Sequence, residues 1–251
     1  MLLVMKILKE KIKHKSRTIT DKLILLILKG WIKRKFYVRY INHDARKDRK
    51  KHIETLLDTF NVNFKRINAT RFISPNEATE EEISIFKRGV ENYLITQELN
   101  KTRLNGVIGC YMSHIRAIMD INKNDNRLQL IFEDDIQITS IRFFLSIKRK
   151  IKHLPRNWDI CLIDCQGDYI KDDKIKSFLY MPNGTYPDYN GSYAVLINQK
   201  KKNHILKVFE ENPIRDYDSL LTWNTTAINS YIMITGYIRQ PGMFTSDIII
   251  T

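Results

Sequence analysis

The chain has 251 residues, 43% of them hydrophobic, with nine Gly and six Pro, which supports a full core and excludes a fibrous or low-complexity chain. The net charge of +14 is uneven: residues 1–51 hold 17 Lys/Arg against 4 Asp/Glu, and the other 200 residues are near neutral. A nucleic-acid-binding domain spreads its charge across a folded face, so no specific nucleic-acid partner is expected, and the basic arm suits an acidic membrane surface or another polyanion.

Residues 1–34 read as a basic, partly amphipathic arm, and residues 35–251 as one domain. The arm has apolar patches at Met1–Leu8 and Leu23–Leu28. Both fall short of the roughly 20 apolar residues that span a bilayer. No cleavage site follows a clean apolar run, so neither a transmembrane helix nor a signal peptide is expected. The location expected is cytoplasmic or peripheral to a membrane.

From Lys35 onward, apolar runs of strand length alternate with helical patterns. Phe36–Ile41 reads as a strand. Asn42–Ala45 reads as a turn, and a helix follows from Arg46 to Leu57 with Asp44 as its N-cap. A strand feeding a helix N-terminus offers free N–H groups to an anion. Arg46 and Arg49 on the first turn add guanidinium groups for a phosphate, or form a solvated basic face. Val62–Ile67 reads as a second strand. Phe72–Asn105 is polar, with helical pieces near 80–86 and 90–99, and forms a candidate flap. A helix is expected from about Gly109 to Ile121, with Ser113 and His114 in its first turns. Adjacent helix positions diverge by about 100°, so Ser113 and His114 are no nucleophile–base pair.

Leu130–Phe132 reads as a buried strand ending in Glu133-Asp134-Asp135. Ligand crevices of open α/β sheets lie beyond the carboxyl ends of the strands. Three adjacent acids repel one another, and a divalent cation with oxygen ligands relieves that repulsion. A solvated acidic turn is the competing reading. Ile141–Leu154 reads as a helix with basic outer residues, and Trp158–Asp164 as a strand. Asp168–Asn190 reads as a polar loop, a lid or acceptor surface. Gly191–Ile197 reads as a strand, with a helix after it to about Glu210. Asp216 and Asp218 open a further helix, and Tyr231–Ile238 is the last strand. The alternation implies an α/β domain with a mostly parallel sheet. Cys110, Cys161 and Cys165 show no C-x-x-C spacing, which argues against a disulfide framework and a zinc site. Cys161 and Cys165 are expected on one strand face as apolar packing.

Several blocks, in order, resemble family 25 of the glycosyltransferases, which includes bacterial lipooligosaccharide galactosyltransferases and collagen β-galactosyltransferases. Tyr40 to Arg49 is similar to the family's opening "INLDRxxDR" block, and Ile67–Thr70 to the segment after its second strand. Gly106–His114 is similar to "GxxGCxxSH", and Ile131–Asp135 to "LxLEDD". Gly191–Ala194, Pro213–Leu221 and Ser246–Ile248 resemble later blocks. The family's Leu-Asp-Arg is His43-Asp44-Ala45 here, which leaves Arg46 to supply the missing guanidinium. The block around Asp218 carries Arg215 and an extra acid.

The resemblance implies a single GT-A-like nucleotide-sugar domain with a mixed, mostly parallel sheet. It implies inverting transfer of a hexose, galactose above all, from a UDP-sugar donor with Mn²⁺. The acceptor would be a glycan, a lipid-linked sugar or a glycoprotein. Asn42, Arg46, Arg49, Ser113, His114, Glu133 and Asp134 would bind the nucleotide-sugar. Asp135 and Asp247 would hold the metal. Inversion needs a general base for the acceptor hydroxyl; Asp218 is preferred among Asp218, Asp216, Asp164 and Asp247. The other function classes are a catalytically silent relative that binds a sugar nucleotide or glycan, and a basic membrane-surface or nucleic-acid adaptor.

Overall fold

The computed structural model describes residues 25–69, 101–167, 174–182, 189–190, 193–212, 217, 221 and 227–239. Helical residues 25–35 (α1) lead directly into β1 (Phe36–Asn42). Helix α2 (Lys47–Phe60) returns the chain to β2 (Asn63–Asn68). Helix α3 (Lys101–Met119) precedes β3 (Leu128–Glu133), and a two-residue β4 (Gln137–Ile138) leads to α4 (Arg142–Lys150). Then come β5 (Ile160–Ile163), β6 (Gln166–Gly167), β7 (Lys174–Lys176), β8 (Leu179–Tyr180) and β9 (Tyr189–Asn190). Strand β10 (Ala194–Ile197), helix α5 (Lys202–Glu211), β11 (Ser230–Met233) and β12 (Ile238–Arg239) follow.

The main sheet has the order β2-β1-β3-β10-β5-β11-β8-β7. Strands β1, β2 and β3 are parallel, as are β5 and β11, whereas β10 runs against both β3 and β5. Hairpin β7–β8 adds an antiparallel edge through β11 and brings order to part of the expected polar loop. Strand alternation sends side chains to two faces. Phe36, Val38 and Tyr40 meet Ile53, Leu57 and Phe60 of α2 and Phe143, Phe144 and Ile147 of α4. On the opposite face Ile41 and Ile131 meet Ile108, Tyr111, Met112 and Ile115 of α3 and Ile205 and Phe209 of α5. The domain is therefore an α/β sandwich of three layers, with the sheet buried on both faces. Ile32 of α1 is fully buried in the first of these clusters, and Trp31 meets Phe36 edge to face at 5.7 Å.

Several local expectations change. Asp44 does not cap α2: Arg46 holds the cap position with no side-chain cap bond, and Asp44 instead accepts from Arg66 and Asn68. The Asp44 carboxylate is committed to those two donors in place of the cap. The helix expected from Gly109 includes residues 101 to 108, so Gly106 and Gly109 lie inside it. Each interior glycine costs about 1 kcal/mol relative to alanine. Burial of Val107, Ile108, Tyr111, Met112 and Ile115 on one face offsets that. Ser113 and His114 consequently sit in the later turns of α3, not its first. Cys161 and Cys165 do not share a face, because they belong to opposite core clusters. Asp164 between them has φ of 53°, which turns the chain over after β5.

The last expected strand divides into β11 and β12 around Gly236, whose φ is 75°. Asp164 holds that turn. Its carboxylate accepts from Thr235 N and Oγ1, from Gly236 N at 2.8 Å, from Tyr237 N at 3.2 Å and from Ile238 N at 3.1 Å. A carboxylate committed to five donors is a structural clamp, which removes Asp164 from the candidate bases. The expected features within 70–100, 168–173, 183–188 and 240–251 lie outside the described residues. No helix among those described is long and apolar enough to cross a membrane.

Candidate functional site

The parallel strands β1 and β3 end side by side, with Ile41 opposite Glu133 in register. The chain turns immediately after Glu133 through Asp134 and Asp135. Two bonds hold this turn: Glu133 N donates to Tyr193 O at 3.0 Å, and His52 Nε2 of α2 donates to Ile136 O at 2.8 Å.

Backbone geometry then separates the three acids. Glu133 shares the α3 face of the sheet with Ile131. Its Oε1 lies 3.6 Å from His114 Nε2, and its side chain is 30% exposed. Asp134 and Asp135 turn to the α2 side and are buried. Asp134 accepts from Asn42 Nδ2 at 2.6 Å and from Arg49 Nη1 at 3.1 Å. The same Arg49 Nη1 lies 3.4 Å from Asp135 Oδ2. Burial pushes the Asp134 carboxyl above its ordinary value, and the bonds from Asn42 and Arg49 pull it the other way.

Asn42 is the hub on the β1 side. Its Nδ2 also donates to Arg46 O at 3.1 Å, and its Oδ1 accepts from Arg66 Nε at 3.0 Å. Arg66 of β2 further donates to Asn42 O at 3.1 Å and to Asp44. Its hydrogen bond holds the exposed Asp44 carboxyl below its ordinary value. Arg46, expected to replace the guanidinium missing at Ala45, bonds Asp48 at 3.0 and 3.2 Å. That bond pulls the Asp48 carboxyl down to about 2. The guanidinium beside Asn42 therefore comes from Arg66, which sequence reasoning missed. Parallel pairing of Tyr40 with Arg66 is the register that brings it there, and no local motif signals it.

On the other wall, Ser113 is buried and donates to Gly109 O at 2.6 Å, a bond within its own helix. His114 is 1% exposed, and its ring stacks on Tyr217 with centroids 3.7 Å apart and planes 13° apart. Neither ring nitrogen of His114 has a hydrogen-bond partner among the described residues. Cys110, one turn before His114, completes a group with His114 and Glu133 whose ligand atoms all lie within 4.8 Å of one another. Asn42, Arg49, Asp134 and Asp135 are thus joined in one network, and Glu133 and His114 in a neighbouring one. Asp216, Asp218 and Asp247 lie outside the described residues, although Tyr217 between the first two is described.

Three carboxylates gather at the strand end, and among the described residues one guanidinium nitrogen reaches two of them. All-oxygen donors of this kind fit a divalent cation of the Mg²⁺ or Mn²⁺ type. A family model described as Glycosyltransferase family 25 (LPS biosynthesis protein) matches residues 33–238. No curated protein matches the chain.

Proposed function

The chain belongs to glycosyltransferase family 25, and from that premise we propose that it moves a hexose, galactose first, from a UDP-sugar to a hydroxyl of a glycan, lipid-linked sugar or glycoprotein, with inversion. Its mixed, mostly parallel sheet is the GT-A-like architecture expected of a sugar-nucleotide enzyme. The observation that carries the reading is the gathering of Glu133, Asp134 and Asp135 at the carboxyl ends of β1 and β3, where open sheets bind ligands.

Asp135 would hold Mn²⁺, and Asp247 is the further ligand proposed from the sequence. When bound, the cation stabilises the negative charge that grows on the departing diphosphate. Arg49 holds Asp134 and Asp135 in place, and Asn42 braces Asp134 from β1. Arg66, which bonds Asn42, and Arg46, at the N-terminal end of α2, suit the nucleotide phosphates. In the transfer, the acceptor oxygen bonds the anomeric carbon from the face opposite the leaving diphosphate. The sugar–phosphate C–O bond breaks with its electron pair going to the diphosphate, and the acceptor's proton passes to a carboxylate. Asp218 is proposed for that proton, with Asp216 second. What supports this is Tyr217, the residue between them, stacked on His114.

A thermal-shift titration with UDP, with and without Mn²⁺, tests the reading. A ligand at a hundredfold over its Kd adds about 2.7 kcal/mol, so a metal-dependent rise in melting temperature is expected, followed by UDP release from UDP-galactose in preference to UDP-glucose. Absence of any nucleotide shift counts against the donor site. A shift without turnover identifies a catalytically silent binder.

A membrane-facing role for the basic arm has its own support. On α1, Leu25, Leu26 and Ile27 are exposed, and so are Lys33, Arg34 and Lys35. Apolar and basic groups together on one helix suit the interface of an anionic bilayer. Cosedimentation with anionic but not neutral vesicles is expected, and equal binding to both, or to neither, removes the electrostatic part.

A further inference from the structure

The geometry points to a second metal site, distinct in chemistry from the all-oxygen strand end: a thiolate–imidazole–carboxylate site formed by Cys110, His114 and Glu133 for a borderline-soft divalent ion such as Zn²⁺ or Co²⁺. It takes Glu133 from the acidic strand end, and its test needs no sugar nucleotide. Cys110 and His114 are four residues apart on α3, so both side chains leave the helix on one face. Glu133 reaches the same point from the end of β3, and the three ligand atoms lie within 4.8 Å of one another. Metal bonds of about 2.0–2.3 Å bring such atoms to roughly 3.3–3.8 Å apart. His114 Nε2 and Glu133 Oε1, at 3.6 Å, already stand at that spacing.

The second, independent observation is His114 itself. It is 1% exposed, and both its ring nitrogens lack a hydrogen-bond partner among the described residues. A buried imidazole without partners loses its hydration for nothing in return. A metal on Nε2 removes that cost. The gap of 3.6 Å to Glu133 is too long for a hydrogen bond but is what two ligands of one ion require. Tyr217 stacked on the ring fixes its plane. Three protein ligands would leave such an ion a fourth position for water.

Ligand type sets the selectivity. Sulfur and imidazole favour Zn²⁺ and Co²⁺, and an all-oxygen set favours Mg²⁺ and Mn²⁺. Binding converts the Cys110 thiol to a thiolate, so one proton leaves to solvent for each ion bound through sulfur. The absence of C-x-x-C spacing hides this site in the sequence, because only two ligands are near neighbours and the third arrives from another element.

Cobalt is the probe. Titration of the metal-free full chain with Co²⁺ is expected to give one equivalent of tight binding, a sulfur-to-cobalt charge-transfer band, proton release, and displacement by Zn²⁺ ahead of Mn²⁺. Cys110→Ser removes the charge-transfer band although Cys161 and Cys165 remain, both being buried in the core. His114→Ala weakens Co²⁺ binding at least tenfold, and Asp135→Asn leaves the band in place. Lack of a charge-transfer band in the unsubstituted chain overturns the site, whatever the variants do. So does a band that survives Cys110→Ser, or one lost in a folded Asp135→Asn. None of these readouts needs a sugar nucleotide, so the outcome is separate from that of the UDP titration.

Discussion

Asp135→Asn lowers Mn²⁺-dependent release of UDP from the sugar donor by about 10³-fold, and the protein stays folded. The physical argument is charge. A bound divalent ion offsets several kcal/mol of negative charge developing on the diphosphate, and about 4 kcal/mol of lost stabilisation is a thousandfold in rate. Asparagine keeps the shape of the side chain and an oxygen but gives up the formal charge that attracts the cation. Arg49 retains its contact with Asp134 at 3.1 Å, so the fold keeps its main ion pair there. Initial rates of UDP release against Mn²⁺ concentration, with circular dichroism as the folding control, make the measurement. A variant that turns over at the unsubstituted rate removes Asp135 from the metal site.

Arg49→Ala lowers the unfolding free energy by about 3–5 kcal/mol at neutral pH, because it takes a cation away from two buried carboxylates. Arg49, Asp134 and Asp135 are each no more than 6% exposed, and one guanidinium nitrogen serves both acids. The deficit depends on pH. Burial already raises the Asp134 carboxyl in the folded protein, and loss of Arg49 raises it further. A group whose folded pKa is raised contributes stability at low pH and loses it as pH rises through that pKa. The gap between variant and parent is therefore smallest in acid, grows as pH rises through the range in which Asp134 ionises, and then levels off. Urea unfolding at several pH values reads this directly. Adding Asp134→Asn to Arg49→Ala should recover part of the loss. A pH-independent deficit, or one below about 1 kcal/mol, means that water reaches the carboxylates and the pair is not dry.

The two expectations differ in what they test. The first concerns chemistry at the strand end, and the second the support beneath it. Together they separate Asp135, which is proposed to meet the metal, from Asp134, whose two bonds are inward to Asn42 and Arg49. The three acids are equivalent in the sequence and become different only at the turn after β3.

Much of the architecture was legible in the chain itself. The runs at 36–41, 62–67, 130–132 and 158–164 became β1, β2, β3 and β5 with shifts of one or two residues. Their alternation with amphipathic helices was enough for an α/β domain, because periodicity and burial are local properties of a segment. The order of motifs from Tyr40 through Asp135 identified the family, since those residues keep their spacing along the chain. The glycines at 106 and 109 misled, because helix propensity is a weak local signal and packing of α3 against the sheet overrode it.

What the sequence by itself determined was the class of fold, the family and the acidic end of β3. What only the tertiary structure decided was which side chain meets which. Arg66 reaches Asn42 through the register of a parallel strand pair. Asp164 is withdrawn from catalysis by a turn about 70 residues later in the chain, formed by Thr235 to Ile238. Glu133 joins Cys110 and His114 because a strand end and a helix turn converge. Each is a contact between residues distant in the chain, and its energy depends on burial and distance that no local pattern of residues encodes.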